Sequence, residues 1–525
     1  IYFLLVIGLF LALTIMKLSG GRQTRSAAVR AARYSLLIAL VIMAGYISSL
    51  PALTTYYDTT RFKDRTLTKN SQEIVKQLSK PVKITTYINA VDYKAPYGAP
   101  KYRIKDLKQF EQYQRFLPDL KIEYVTYYDT VFYNPNQTKT IEEQARRAAT
   151  AHGFDFDKFL KPEEIRQRIN LIPEENLFTR VVEHDGKTTF LRMFNDMFVY
   201  PHEPEISAAL KRLLVKAPVV GVLQENDERS IDKTGDKAYK MILKELTNRS
   251  ALVNQGFDVI NVSLNEGEIP RDISVLLIAD PKMDYSAEQL AKISSYIEAG
   301  GNLIVAGEPG RQTALNSILS QVGVKLNSGL LLQQSEDFEA DLIQARFTEN
   351  ARAFGFTFND RSIVTFPGAN GISLVEDKGF KVTPLLMTDK TSTWNREEQV
   401  DLSKDKIVFD SLRETKIQVP VAVALTRNIG DKEQKIIVTG DADFMTNAEL
   451  NRYNIRTINP NFITKMFKWF SNGEFPIDTS RKESIDKKVL VTRSGITWMK
   501  VFILGVIPFL IGAMGGITLI RRKRQ

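Results

Sequence analysis

The twenty residues Val501–Ile520, VFILGVIPFLIGAMGGITLI, carry no charge, and Arg521-Arg522-Lys523-Arg524 follow at once. Such a run is long enough as a helix to cross a hydrocarbon core of about 30 Å. The basic cluster behind it marks the cytoplasmic end. Any fold drawn for this chain must therefore close on a membrane anchor, although most of the sequence reads as a globular protein. Trp498 and Lys500 fit an interfacial position at the other end of the same span. Pro508 predicts a slight kink, and Gly512-x-x-x-Gly516 allows close approach of a second helix, including that of a second copy of the chain.

A formal net charge of +10 and a pI near 9.3 raise the question of nucleic acid. The positions of the charges answer it. Lys17, Arg22, Arg25, Arg30 and Arg33 at one end, with Lys500, Arg521, Arg522, Lys523 and Arg524 at the other, account for the whole excess. Residues 54–495 are left electrically balanced, so the basicity flanks membrane segments and no nucleic-acid partner is expected. The chain has no cysteine, which excludes disulfides, zinc–cysteine sites and thiol nucleophiles.

Residues 1–18 are apolar apart from Thr14 and Lys17 and read as a first span, 19–34 as a basic cytoplasmic loop, and 35–53 as a second span. The numbered chain opens on Ile1 within a hydrophobic run, which suggests a remainder of something longer rather than a signal peptide. With both basic clusters inside, 54–495 lies outside the cytoplasm and 496–520 returns through the bilayer, leaving 521–525 as a cytoplasmic tail. Arg22, Arg25, Arg30, Arg33, Trp498, Arg521, Arg522, Lys523 and Arg524 are the expected anchoring residues.

Residues 54–79 read as a linker and a helix, with Asn70 and Glu73 as a capping box. Residues 80–215 alternate strands (82–90, 120–128) with helical stretches (105–117, 141–151, 205–214) and a hairpin at Asp185-Gly186, which predicts a small α/β domain. From Pro218 short apolar runs at 219–223, 259–262, 275–279 and 303–306 alternate with helices, as in a buried parallel sheet. Ser286 with Gln289 caps a helix that Gly300-Gly301 closes. Strands at 419–426 and 435–439 and a helix at 461–470 complete a doubly wound domain over 216–475. Within it 325–415 reads as an irregular insertion, and 476–495 as a linker to the last span. The expected fold class is thus an α/β ectodomain, a small α/β domain plus a parallel-sheet domain, with three transmembrane helices.

Three stretches carry a family resemblance. Thr60–Ile88 (TRFKDRTLTKNSQEIVKQLSKPVKITTYI) follows a span. Pro218–Glu308 holds Glu228-Arg229-Ser230, an Ile-Pro-x-Asp turn leading to Leu-Leu-Ile-Ala-x-Pro, and the Gly-Gly pair. Gly440-Asp441-Ala442-Asp443-Phe444 is followed by Asn447. In this order they resemble the auxiliary subunits of gliding-motility-type ABC transporters, over roughly 54–520. The turn Gln224-Glu225-Asn226-Asp227 departs from the glycine- or histidine-containing turn of that family. Residues 1–18 with their basic tail look like the closing span of an ABC-type permease, which suggests a permease–auxiliary fusion. The resemblance implies an integral subunit in a bacterial inner membrane, its bulk periplasmic and its central sheet flavodoxin- or amidotransferase-like. The implied partners are an ABC-type ATPase subunit, permease spans, and a periplasmic protein or cell-wall partner beside the lipid bilayer.

Ligands of open parallel sheets sit beyond the carboxyl ends of the strands. There the chain places Glu225, Asp227, Glu228 and Arg229 after the first central strand, Asp280 after the third, Glu308 and Arg311 after the fourth, and Asp441 and Asp443 after the last. These nine are the candidate ligand-binding residues. Their ordinary use is to cap the helices that begin at this edge. A peptide- or glycan-binding cleft is the second use, and two carboxylates turned to one cation the third. No ligand spacing marks a metal site outright, and no cofactor is expected. His152, His184 and His202 are scattered and read as surface or cap residues, and no G-x-S-x-G elbow, H-E-x-x-H or Walker A stretch occurs. The expectation is a non-enzymatic subunit coupling a partner's ATP hydrolysis to an extracytoplasmic partner or cargo. A periplasmic receptor module and an unrecognised hydrolase using the carboxylates are the alternatives.

Overall fold

The computed structural model describes residues 27–50, 56–131, 138–356, 358–359, 361–398, 400–402, 407–481 and 491–523, together with Phe10, Thr14 and Lys17. The chain divides into two units. One takes in Ile1–Tyr57 and Thr66–Thr479, and the other comprises Asp58–Arg65 and Ser480–Gln525.

In the first unit, strands β1 (Lys83–Asn89), β2 (Lys121–Tyr127), β3 (Thr179–His184) and β4 (Lys187–Arg192) form a sheet ordered β2-β1-β3-β4. β1 and β2 run parallel, and β3 and β4 are joined by Asp185-Gly186, both with positive φ (50° and 76°) as a two-residue hairpin demands. One face packs Ile84, Val182 and Leu191 on Phe110, Tyr113, Ile206 and Leu210 of helices Arg103–Gln114 and Glu203–Arg212. The expected capping box at Asn70 is not formed. The helix runs Lys69–Gln77 from Thr68, whose N–H and hydroxyl both donate to Glu203 Oε1 (2.6 and 2.7 Å), while the Asn70 amide donates to the Asp478 carbonyl (2.7 Å). Tertiary partners outcompete the local cap.

The second sheet has nine strands. β5 (Val219–Leu223), β6 (Asp258–Val262), β7 (Val275–Ala279), β8 (Leu303–Ala306) and β17 (Lys432–Thr439) pair in parallel, in the order β6-β5-β7-β8-β17. β7 and β8 are buried at every position, and their alternate side chains enter two cores. Val275, Leu277 and Ala279 share a core with Phe462, Ile463, Met466 and Phe467 of helix Asn459–Phe470. Leu276 and Ile278 share the other with Ile293 and Ile297 of helix Ala287–Glu298 and with Leu315 and Ile318 of helix Gln312–Leu319. Ser286 and Gln289 form the expected capping box.

The sheet is mixed rather than parallel. β16 (Pro420–Ile429) pairs antiparallel with β17, and beyond it β14 (Lys381–Met387), β11 (Leu342–Phe347) and β12 (Ile363–Pro367) continue antiparallel to the edge. The stretch 325–415, read from sequence as an irregular insertion, therefore supplies three strands of the main sheet. It also carries small ladders, of β9 (Val324–Leu326) with β13 (Ile372–Leu374) and of β10 (Leu330–Gln333) with β15 (Thr393–Arg396). Short strands with register shifts between Pro384 and Met387 hid the pattern, because periodicity is blurred wherever a bulge resets the alternation.

In the second unit helix Arg493–Val501 runs through a π-type turn at Phe502–Val506 into helix Ile507–Lys523. Proline lacks the N–H and its ring crowds the carbonyl four residues back, so the widened turn directly before Pro508 relieves that clash. Ser494–Arg522 forms a 29-residue helix whose apolar window has mean hydropathy 2.3 and no buried residue, a helix fit to cross a membrane by length and composition. Trp498, Arg521 and Arg522 are exposed on it, with Lys523 at its end. Arg30 and Arg33 lie in helix Ala27–Ser49, whose continuous apolar stretch is the shorter Ile38–Ile47. Arg22, Arg25 and Arg524 lie outside the described residues, as does 1–18 apart from the three residues named.

Candidate functional site

β5, β7, β8 and β17 run parallel, so their carboxyl ends open on one edge of the sheet. There Arg229 is almost fully buried, and its N–H donates to the Ala279 carbonyl at the end of β7 (3.1 Å). Its Nη2 meets three carboxylates: Asp280 Oδ2 and Asp443 Oδ1 at 2.8 Å each and Glu308 Oε2 at 3.2 Å. One guanidinium therefore joins the loops after three separate strands, the planar multi-donor role that arginine fills better than lysine. Asp280 is wholly buried with φ 51°, and it also pairs with Lys282. A non-glycine residue held left-handed is costly and persists only where its surroundings over-determine it.

Asp441 is fully buried in the turn after β17. Its Oδ1 accepts the Asp443 N–H (2.6 Å), which closes an Asx turn, and its Oδ2 has no hydrogen-bond partner. Asp443 Oδ2 pairs with Lys237 Nζ, a side chain 64% exposed. The Tyr239 hydroxyl donates to the Ala442 carbonyl (2.6 Å) and holds this turn from the other side. Gly440 is obligatory here, since a Cβ on it would lie 1.9 Å from the Asn370 carbonyl oxygen.

Burial lifts the Asp441 carboxyl well above the usual carboxylate range, and the charges of Asp443 and Glu308 add to the effect. Burial and then Asp443 push Glu308 up to about 7, against the opposing pull of Arg229. Burial works against the Arg229 charge, yet Tyr239, Asp443, Asp280 and Glu308 together hold its pKa above the ordinary value.

Of the nine residues expected here, Arg229, Asp280, Glu308, Asp441 and Asp443 converge. The other four shape loops. Glu228 accepts from the N–H groups of Glu225 and Asn226 (2.7 Å each) and from the Tyr285 hydroxyl (2.7 Å). Glu225 Oε2 accepts from the Ser263 hydroxyl and the Leu264 N–H (2.8 Å each). Asp227 is exposed with φ 54°, and the Arg311 N–H donates to the Glu308 carbonyl (3.0 Å). Sequence reasoning missed Lys237, Tyr239 and Lys282, which lie outside the quoted motifs. A signal existed for the first two, a lysine and an aromatic a few residues beyond the Glu-Arg-Ser turn.

The histidines stay apart. His202 caps helix Glu203–Arg212 and His152 sits in the last turn of helix Ile141–His152, as expected. His184 corrects the expectation: it ends β3 with only 5% exposure.

Residues 217–475, just under half of the chain and the part that builds this edge, match the model of a family described as an ABC-type uncharacterized transport system. This match supports an auxiliary component of an ABC-type transport system. No curated protein matches the chain. Among solved structures the chain is similar to an mmIFT52 N-terminal domain, at 15% identity and TM-score 0.34, covering 49% of this chain and 98% of that one. It is also similar to the exo-beta-1,4-mannosidase Op5Man5 from Opitutaceae bacterium strain TAV5, at 11% identity and TM-score 0.28, covering 72% of this chain and 50% of that one. A ThuA-like protein from Parabacteroides merdae gives 8% identity and TM-score 0.29, covering 51% and 94%. These scores are too low to assign a shared fold.

Proposed function

We propose that the chain is a membrane-anchored, non-enzymatic auxiliary subunit of an ABC-type transport system of the gliding-motility type. Its body, 54–495, lies on the periplasmic side of a bacterial inner membrane. ATP hydrolysis by a cytoplasmic partner moves permease spans, and the body passes that motion to a periplasmic partner or cargo.

One observation carries the reading: the family-matched body is followed in the same chain by Ser494–Arg522, an apolar helix with none of that window buried. A hydrocarbon surface of that length is unfavourable in water and asks for lipid. The basic residues Arg521 and Arg522 that close this helix favour a cytoplasmic end. Spans at 1–18 and 35–53, the second centred on Ile38–Ile47, complete the proposed topology.

The lack of native cysteine makes the test clean. Lys390→Cys and Gln525→Cys variants are treated with a membrane-impermeant maleimide on spheroplasts. Labelling of the first in unbroken spheroplasts and of the second only after lysis supports the orientation, and the reverse pattern rejects it. Purification in mild detergent should retain an ATPase subunit; a chain that emerges alone argues against the transport role.

A receptor reading has its own support in a cavity of about 610 Å³ whose lining includes Asn195, Asp196, Glu245, Asn248, Arg249 and Asn451. The size and the mixed lining, in which Met241, Ile242, Leu450 and Pro460 stand beside these polar groups, suit a small glycan or peptide. Retention of the full chain on peptidoglycan, lost in Asn451→Trp, would favour this reading over the coupling role.

A further inference from the structure

Glu308, Asp441 and Asp443 each place one carboxylate oxygen within 4.8 Å of the others. Between them they come from two separate segments of chain, the turn after β8 and the turn after β17. A second observation concerns how one of these groups is satisfied. Asp441 has no exposed surface, and its Oδ2 finds no donor. Leaving a buried carboxylate oxygen unpaired costs free energy that a correctly placed cation would recover.

The charges around it narrow the ligand. The four carboxylates of Asp280, Glu308, Asp441 and Asp443 face Arg229, Lys237 and Lys282. Arg229 is fixed by three carboxylates and buried, and Lys282 pairs with Asp280 from the other side. Lys237 differs: its side chain is 64% exposed, and its ammonium pairs with one oxygen of Asp443. A flexible, well-hydrated ammonium at the rim is the member most readily exchanged for solvent. With Lys237 turned outward and an entering ion displacing any protons on Asp441 and Glu308, the four carboxylates exceed Arg229 and Lys282 by two negative charges. That is the charge of one divalent cation.

We propose that Glu308, Asp441 and Asp443 form a site for a hard divalent cation, of the Ca²⁺, Mg²⁺ or Mn²⁺ class, and that the Lys237 ammonium is the internal counterion it displaces. An all-carboxylate donor set without imidazole or sulfur selects this class. Three protein oxygens leave the other coordination positions to water or to oxygens of a bound partner. The site lies where loops from β5, β7, β8 and β17 meet, and occupancy ties the turn after β8 to the turn after β17 through the ion, beside the link that Arg229 already makes. This inference stands independently of the transport reading.

The test uses the full chain in detergent, stripped with chelator and dialysed, then titrated calorimetrically with CaCl₂, MgCl₂ and MnCl₂. Thermal unfolding is followed in parallel. Binding at one site per chain with a raised Tm is expected for at least one of the three ions. Asp441→Asn and Glu308→Gln should each weaken it about tenfold or more, whereas Lys237→Ala should tighten it several-fold by removing the competitor. Neither heat nor Tm shift at millimolar concentration of any of the three ions overturns the proposal, as does binding undiminished in both carboxylate variants. Weaker binding in Lys237→Ala overturns the displacement. Glu308 sits at the partly exposed rim, so Glu308→Gln carries the loss arm should Asp441→Asn fail to fold.

Discussion

Replacing Arg229 with methionine removes the one cation shared by Asp280, Asp443 and Glu308 while keeping much of the side-chain volume. Two ion pairs at 2.8 Å and one at 3.2 Å disappear with the guanidinium, which belongs to a side chain only 5% exposed. Taking one partner from a buried ionic cluster costs about 3–5 kcal/mol, because the charges left behind stay desolvated. With an unfolding entropy of about 2.1 cal/mol/K per residue, a cooperative unit of roughly 260 residues between 217 and 475 loses about 7 °C for 4 kcal/mol. The assay is thermal unfolding of the full chain in detergent by intrinsic fluorescence, run on Arg229→Met, Asp280→Asn and the double variant. If Arg229 offsets the Asp280 charge, neutralising Asp280 after the arginine is gone costs far less than neutralising it first. A coupling of about 1–3 kcal/mol is then expected. Additive losses, or an Arg229→Met variant within about 2 °C of the parent, would refute the view that this guanidinium compensates the cluster.

Other substitutions test the rest of the body. In the small domain Arg180 and Asp106 are both buried and ion-paired, with the Tyr124 hydroxyl donating to the same carboxylate (2.7 Å). Arg180→Met should lower stability by about 3–5 kcal/mol, and Asp106→Asn added to it should restore part of that loss in urea titrations. Lys94 is buried beside Tyr93, and burial brings its pKa down to about 8 from the ordinary 10.5. The folded state therefore gives up this proton more readily than the unfolded chain. Below pH 8 the charge costs the native state about 3 kcal/mol, and the cost disappears as pH rises from 8 through 10.5. Lys94→Met should be more stable than the parent at pH 7 with a gap that closes by pH 10.5, and a pH-independent gap would contradict the assignment. Gly440→Ala forces a methyl onto the Asn370 carbonyl, for an expected loss of about 3 kcal/mol by thermal unfolding. Silence at that position would mean the turn after β17 can move.

Much of the architecture was legible in the linear pattern. The apolar runs that became β5, β7 and β8 are continuous because those strands are covered on both faces, and a doubly covered strand has no polar side to interrupt it. The hairpin at Asp185-Gly186 and the cap at Ser286 were readable because their chemistry is local. The Asn70 cap was misread because Thr68 found Glu203 and Asn70 found Asp478, partners more than a hundred residues away. The same remoteness hid the antiparallel half of the main sheet, where β11, β12 and β14 acquire regular pairing only from each other and from β16.

The chain by itself determined a helix long and apolar enough to cross a membrane, the balanced charge of the body and the edge on which polar residues would gather, since each follows from composition or from strand order. Only the folded molecule decided which of those residues meet. Glu228 and Glu225 went to backbone N–H groups of their own and neighbouring loops, whereas Asp441, Asp443 and Glu308 were carried together by the parallel pairing of β8 with β17. Strand pairing acts over a hundred residues of sequence, and a carboxylate's surroundings are set by what pairing brings near it.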